Sequence, residues 1–176
     1  MKEITTPVKN EIIKNLKIGD KVNITGTMLT GRDAVLPKLV KLLKNNQEDE
    51  IKVNLTGAVI MHTAFSSAGI APTTSNKTEI ESSIIPLSVA GVKLHIGKGS
   101  LHSETVEGLK KEGSAYIVTP PVAALLTSKV KSYKCVMYPE EGMEALYQLE
   151  VENIPGIVAS INGETINTCN YTWNIF

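Results

Sequence analysis

Cysteine is nearly missing from this sequence of 176 residues: Cys135 and Cys169 are its only two, and they form no C-x-x-C pair. Two such thiols cannot hold a metal cluster unaided, and in a reducing compartment both are expected as ordinary thiols rather than a disulfide. Aromatic side chains amount to 5%, which leaves few stacking platforms for single-stranded nucleic acid. Neither sign of charge dominates. Eighteen basic side chains cancel eighteen acidic ones, so the basic excess typical of nucleic-acid binders is missing. No segment approaches the roughly 20 apolar residues that cross a bilayer. The stretch MKEITTPVKNEIIKNLKIGD is charged throughout and has no apolar core like that of a signal peptide. The expectation is a cytoplasmic protein that binds neither nucleic acid nor membrane.

What is present is an ordinary globular composition, with 42% hydrophobic and 20% charged residues, on a chain long enough for one sizeable core. There is no internal repeat and no low-complexity tract. KVNITGTML alternates as a strand that runs into a loop at Gly26. RDAVLPKLVKLLKNN has helical apolar spacing, with Asp33 as a plausible cap and Pro37 near the start of the regular helix. NNQEDE is a solvated connection. IKVNLTGAVIMH predicts one or two strands broken at Gly57, and TEIESSIIPLSVAG a helix disturbed at Pro86, with Thr78 and Glu81 at capping-box spacing. VKLHIGKGS predicts a buried strand, and SETVEGLKKEG a short helix capped by Ser103 and stopped at Gly113. AYIV, KCVMY, LEVEN and GIVASING predict strands, PVAALLTSKV and GMEALYQ helices, and Asn162–Gly163 a turn. Strands alternate with helices through most of the chain, so the fold class is α/β with a mixed sheet. The closing TCNYTWNIF has no clear period and suits a tail that docks on something.

Three polar loops each follow a strand and precede a helix: Thr27 to Asp33, Thr73 to Lys77 and Gly97 to Ser100. In open α/β sheets such strand ends are where ligands bind. Each loop carries one cation, Arg32, Lys77 or Lys98, and helix starts favour anions. Three converging cations would suit a small dianion such as a dicarboxylate. Blander readings stand beside this one. Arg32 next to Asp33 often means a local ion pair. Ser75 and Thr78 could simply cap the following helix. Gly97-Lys98-Gly99 lacks the glycine spacing and the Lys-Ser/Thr step of a phosphate loop. His62, His95 and His102 show no ligand spacing, and His95, in an apolar strand, reads as a packed side chain. No Ser-His-Asp or Cys-His set can be argued. From the residues alone, the reading is an anion-binding α/β domain.

Four stretches, taken in order, resemble a known family. They are ITTPVKNEIIKNLKIGDKVNITGTMLTGRD, APTTSNK, GVKLHIGKG and GMEALYQLEVENIPGIV. Together they resemble the β subunit of class I fumarate hydratase and L-tartrate dehydratase, from about Ile4 to Asn167. The resemblance implies a swivelling β/β/α domain over residues 1–167 followed by a tail at 168–176. It implies a hydro-lyase divided over two polypeptides, expected as α2β2. The partner α subunit would hold a [4Fe–4S] cluster on three cysteines, with one open iron acting as a Lewis acid on a small hydroxy-dicarboxylic acid. Such a division explains why cluster cysteines are missing here. By the same resemblance Arg32 would bind one substrate carboxylate, with Asp33 supporting it. Lys98 would hold the other carboxylate and stabilise charge on the intermediate. Thr73 would be the base, and Ser75 and Lys77 would face the substrate.

The sequence departs from the family pattern at several places. Lys77 stands where the family has arginine, keeping the charge but losing the bidentate fork. Leu36 replaces a histidine, Pro120-Pro121 replaces a glycine pair, and the loop before the threonines is shortened to HTAFSSAGI. These departures leave room for another hydroxy acid, or for a non-catalytic descendant that binds an anionic metabolite or a partner protein.

Overall fold

The computed structural model describes residues 1–72 and 77–166, with the side chain of Lys77 excluded. The candidates Thr73 and Ser75, the side chain of Lys77 and the expected tail at 168–176 therefore lie outside the described residues.

Four strands form the centre: β2 (Lys21–Gly31), β3 (Val59–His62), β4 (Leu94–Gly97) and β5 (Ala115–Val118) run parallel in that order, with β1 (Lys2–Thr5) added beside β2. Every residue of β3 and β4 is buried, as expected of parallel strands covered on both faces. The long strand β7 (Leu146–Ile161) pairs antiparallel with both β5 and β2, so β2-β3-β4-β5-β7 closes on itself as a barrel-like sheet. The edge strand β6 (Val130–Met137) and the short β8 (Glu164–Thr165) extend β7. The mixed α/β class expected from the sequence is what the structure has.

Alternation along the strands divides the core. Ile24, Met28, Val59, Met61, Leu94, Ile96, Ile117, Leu149 and Val158 fill the interior of the closed sheet. On the outer face Leu29 and Ile60 meet Leu36, Leu39 and Leu87 from two helices, α2 (Leu36–Lys44) and α3 (Lys77–Val89). Each fully buried side chain of this kind contributes about 1.5–3 kcal/mol. Two further helices, α4 (Ser103–Glu112) and α5 (Ala123–Ser128), follow β4 and β5, and α1 (Asn10–Lys14) follows β1.

Several boundaries differ from expectation. Strand β2 does not end at Gly26. It bulges there, between Ile24 and Gly26 against β7, and continues to Gly31. Gly26 has φ +116°, and a Cβ at that position would lie 2.3 Å from Thr6 Oγ1, so only glycine fits. Of the one or two strands expected around Gly57, the segment 51–62 contains one, β3, which starts just after it at Val59. The predicted helix GMEALYQ is a 3₁₀ segment, Pro139–Glu144, after which Leu146 already belongs to β7. LEVEN and GIVASING are one strand, carried through Asn153 at φ 58°. Helix α3 continues through Pro86 to Val89: the missing N–H frees the carbonyl of Ser82, which is an exposed position. The Asn162–Gly163 turn is as expected, with both residues at positive φ joining β7 to β8.

Candidate functional site

Parallel register aligns the carboxyl ends of β2, β3 and β4. Gly31 pairs with His62, and Met61 with Ile96. The residues that follow these strands therefore emerge at one end of the sheet. Arg32 follows β2 and Lys98 follows β4, so their backbones stand two strand spacings apart, about 10 Å. Helix α3 begins at the same end with Lys77.

Arg32 is largely buried and engaged with carboxylates. Its Nε lies 3.0 Å from Glu144 Oε1, and its Nη2 lies 3.6 Å from Asp33 Oδ2. The local Arg32–Asp33 pair foreseen as the blander reading is thus present, together with a second carboxylate that sequence reasoning did not single out. Glu144 lies within the GMEALYQ stretch, but nothing in its spacing announces a partner more than a hundred residues away. The 3₁₀ segment bearing it is tied down over the site. Lys38 of α2 pairs with Glu141 and lies 3.9 Å from Glu140. The Phe65 N–H donates to the Met143 carbonyl at 2.8 Å.

Asp33 does not cap α2. The position preceding that helix is Val35, without a side-chain cap, and Pro37 occupies its first turn. Leu36 is packed into the core between α2 and the sheet. It is therefore a structural side chain, and Gly31 must remain small to admit its neighbours Val35 and Leu36.

The loop from β3 to α3 is well built up to Pro72. Thr63 Oγ1 shares its one hydrogen between the carbonyls of Ala64 and Ala71, at 2.8 and 2.7 Å. Phe65 packs between the tilted rings of Tyr133 and Tyr147, with centroids 4.6 and 4.8 Å away. The Ile70 N–H donates to Thr127 Oγ1 at 3.1 Å. The HTAFSSAGI segment thus carries the chain as far as Pro72 from fixed anchors.

Lys98 is exposed, and its backbone is held from below. The buried Tyr116 hydroxyl donates to the Lys98 carbonyl at 2.9 Å. Burial, with the Glu81 charge adding to it, pushes the Tyr116 phenol upward, so it stays a neutral donor. A cavity of about 320 Å³ opens beside this turn, lined among others by Lys98, Ser100, Tyr116, Ser160 and Thr165.

Glu81 does something other than close a box on its own helix. Its buried carboxylate crosses to the start of α4, where it accepts from the His102 N–H at 2.9 Å and from Thr105 Oγ1 at 2.5 Å. It also lies 3.0 Å from His102 Nδ1. The position before α4 is His102 rather than Ser103, and it has no side-chain cap of its own. Glu81 supplies the acceptor from a neighbouring helix.

His95 is packed as expected, but it is not alone. Its Nδ1 lies 3.1 Å from His62 Nε2, and its Nε2 lies 2.9 Å from Ser88 Oγ. Spacing along the chain gives no hint of this contact, because it depends on β3 and β4 being neighbours. Burial lowers both imidazoles, His62 to about 4 against a small opposing influence of Asp33, and His95 well below its usual value.

Among the described residues, no group of three His, Cys, Asp or Glu side chains could hold a metal ion. Cys135 is a free, exposed thiol on edge strand β6. Among them too, no helix is long and apolar enough to cross a membrane.

A family model described as Fumarase C-terminus matches residues 2–167. The L(+)-tartrate dehydratase subunit beta of Escherichia coli K12 is 30% identical over 173 residues, which cover 92% of this chain and 83% of that protein. The aerobic class I fumarate hydratase of the same organism is 28% identical over 167 residues, or 89% of this chain and 30% of that enzyme. Its anaerobic counterpart is 26% identical over 166 residues, again 89% and 30%. The chain thus spans under a third of the length of the fumarate hydratases it matches.

Proposed function

Because the chain belongs to the Fumarase C-terminus family, we propose that it is the β-type subunit of a hydro-lyase, one that reversibly dehydrates a small hydroxy-dicarboxylic acid of the malate or tartrate kind. The observation that carries this reading is the arrangement of cations at one end of the parallel strands. Arg32 and Lys98 emerge about 10 Å apart, with the start of α3 at the same end. Two cations so spaced, each with the reach of a long side chain, suit the two carboxylates of a four-carbon dianion. A helix N-terminus beside them favours the same charge.

In this reading Arg32 binds one carboxylate with Asp33 as its support, and Lys98 binds the other and stabilises the charge that builds up as the proton leaves. Thr73 is the base, with Ser75 and Lys77 at the substrate. These three assignments rest on the family resemblance. A threonine hydroxyl is a weak base, and the surrounding cations are what make it serviceable. For Arg32 to bind substrate, its pairing with Glu144 must rearrange, which makes Glu144 a competitor the substrate displaces.

This chain does not itself fit the iron–sulfur cluster, since Cys135 stands alone among the described residues and lies on an exposed edge strand. The cluster belongs to a separate α subunit, in an α2β2 assembly in the cytoplasm. Residues 1–167 would form a swivelling β/β/α domain, and 168–176 a tail. One observation favours a second reading, a non-catalytic binder of anionic metabolites: Arg32 is already paired with two carboxylates.

The test is anaerobic co-purification with a cluster-bearing α subunit, followed by dehydration assays on malate, both tartrates and citramalate. Turnover that needs both chains, and that Lys98→Ala abolishes without unfolding this subunit, is the expected result. Failure to associate would leave the non-catalytic binder. Near-normal activity in Lys98→Ala would remove Lys98 from the site.

A further inference from the structure

Ser88, His95 and His62 form a buried chain of hydrogen bonds that runs from helix α3 through β4 to the end of β3. Its polarity follows from counting donors. The Ser88 hydroxyl has one hydrogen to place, and its one side-chain partner is His95 Nε2 at 2.9 Å. A buried hydroxyl that leaves its hydrogen unplaced is penalised, so Ser88 donates and His95 Nε2 accepts. A neutral imidazole carries its proton on the other nitrogen, so His95 Nδ1 donates to His62 Nε2 at 3.1 Å. By the same step His62 carries its proton on Nδ1. That nitrogen is buried and has no hydrogen-bond partner.

Electrostatics agree with the count. Asp33 is the charged group that acts on His62, and it raises the ring's affinity for protons. The negative potential there favours an N–H over a lone pair on the outer nitrogen. The position is apt as well. His62 is the register partner of Gly31, two residues before Asp33, and Asp33 Oδ1 is itself buried.

We propose that the Ser88–His95 pair locks His62 in the Nδ1–H tautomer, making it a neutral donor toward the Asp33 carboxylate and a positioning residue for the Arg32–Asp33 turn. Because His62 Nδ1 has no direct partner, the donor reaches the carboxylate across one bridging water. Being neutral, it orients Asp33 without competing with Arg32 for the negative charge. The tautomer assignment stands on this chain alone; the effect on turnover rests on the hydro-lyase reading.

Long-range ¹⁵N NMR of the imidazoles in the uniformly labelled full chain tests the assignment directly. His62 and His95 should each show a pyrrole-type Nδ1 and a pyridine-type Nε2, the reverse of the tautomer favoured in water. Ser88→Ala should remove the lock and move both rings toward averaged shifts, and Asp33→Ala should shift the His62 Nδ1 signal. An Nε2–H signature for His62, or rings indifferent to Ser88→Ala, overturns the lock. A His62 Nδ1 signal unmoved by Asp33→Ala overturns the link to the turn. In the assembled enzyme His62→Phe should lower kcat/KM about ten- to a hundredfold, the worth of a hydrogen bond to a charged group. His62→Asn, which keeps a donor near the Nδ1 position, should recover much of that loss; equal losses in the two variants would mean that packing alone matters. If the wild-type pair turns nothing over while the ¹⁵N pattern is as described, the hydro-lyase reading fails and the tautomer lock stands.

Discussion

Replacing Gly97 by alanine should unlatch the turn that carries Lys98. Gly97 is the last residue of β4, and a Cβ there would lie 2.4 Å from Tyr116 Oη, 3.1 Å from Cζ and 3.2 Å from Cε2. The first contact is impossible without movement. Tyr116 is buried and pinned by its bond to the Lys98 carbonyl, so it cannot simply swing aside. Overpacking of this kind costs about 1–3 kcal/mol, and loss of the hydroxyl–carbonyl bond adds about 1 kcal/mol. Gly97→Ala should therefore destabilise the chain by about 2–4 kcal/mol, lowering the urea midpoint by roughly 1–2 M at an ordinary slope of about 2 kcal/mol/M. The informative variant is the double one. Tyr116→Phe alone costs about 1 kcal/mol, yet it removes the oxygen that the new methyl strikes. Gly97→Ala/Tyr116→Phe should thus be more stable than Gly97→Ala, with a coupling of about 1–2 kcal/mol. Additive losses in urea unfolding, or a Gly97→Ala variant as stable as wild type, would refute the latch.

Two further outcomes follow from buried polar groups. His62 and His95 are neutral when folded but take up protons near 6.5 when unfolded, so the unfolded state binds more protons below that pH and stability must fall on acidification. With His62 lowered to about 4, its share between pH 7.5 and 5 is about 2 kcal/mol. Urea midpoints at the two pH values measure it, and a flat profile would contradict the buried neutral pair. Glu81→Ala should cost about 2–4 kcal/mol by stranding the His102 N–H and the Thr105 hydroxyl. Glu81→Gln, which keeps one acceptor oxygen, should cost less. Hydrogen exchange at the His102 amide reads the same cap locally and should accelerate in both variants.

Local pattern was enough to find α2, α4, β4 and β5, because each has its own apolar period and its own stop signals, such as Gly113 at φ 61°. Strand β7 was harder to recognise, since Asn153, Pro155 and Gly156 look like punctuation. They are absorbed because pairing with β2 and β5 holds the strand from both sides. The cations Arg32 and Lys98 were legible as members of strand–helix loops. The groups that act on Arg32 and Asp33 were not. Glu144 and His62 reach the site by closure of the sheet and by strand adjacency, and neither relation is written in spacing along the chain. Glu81 stands at capping-box spacing near the start of α3, but its carboxylate serves the start of α4.

The closing strand β7 also determines how the chain comes together during synthesis. Its partner β2 is complete more than a hundred residues earlier. At about 5–20 residues per second, that leaves β2 without its antiparallel neighbour for roughly 6–23 s. Through that interval the edge of β2 that β7 will occupy stays open, and the edge of β5 joins it once Val118 has been made. The nascent chain is thus a carrier of unpaired strand edges until Ile161 has emerged, the state in which strands of neighbouring chains add to one another.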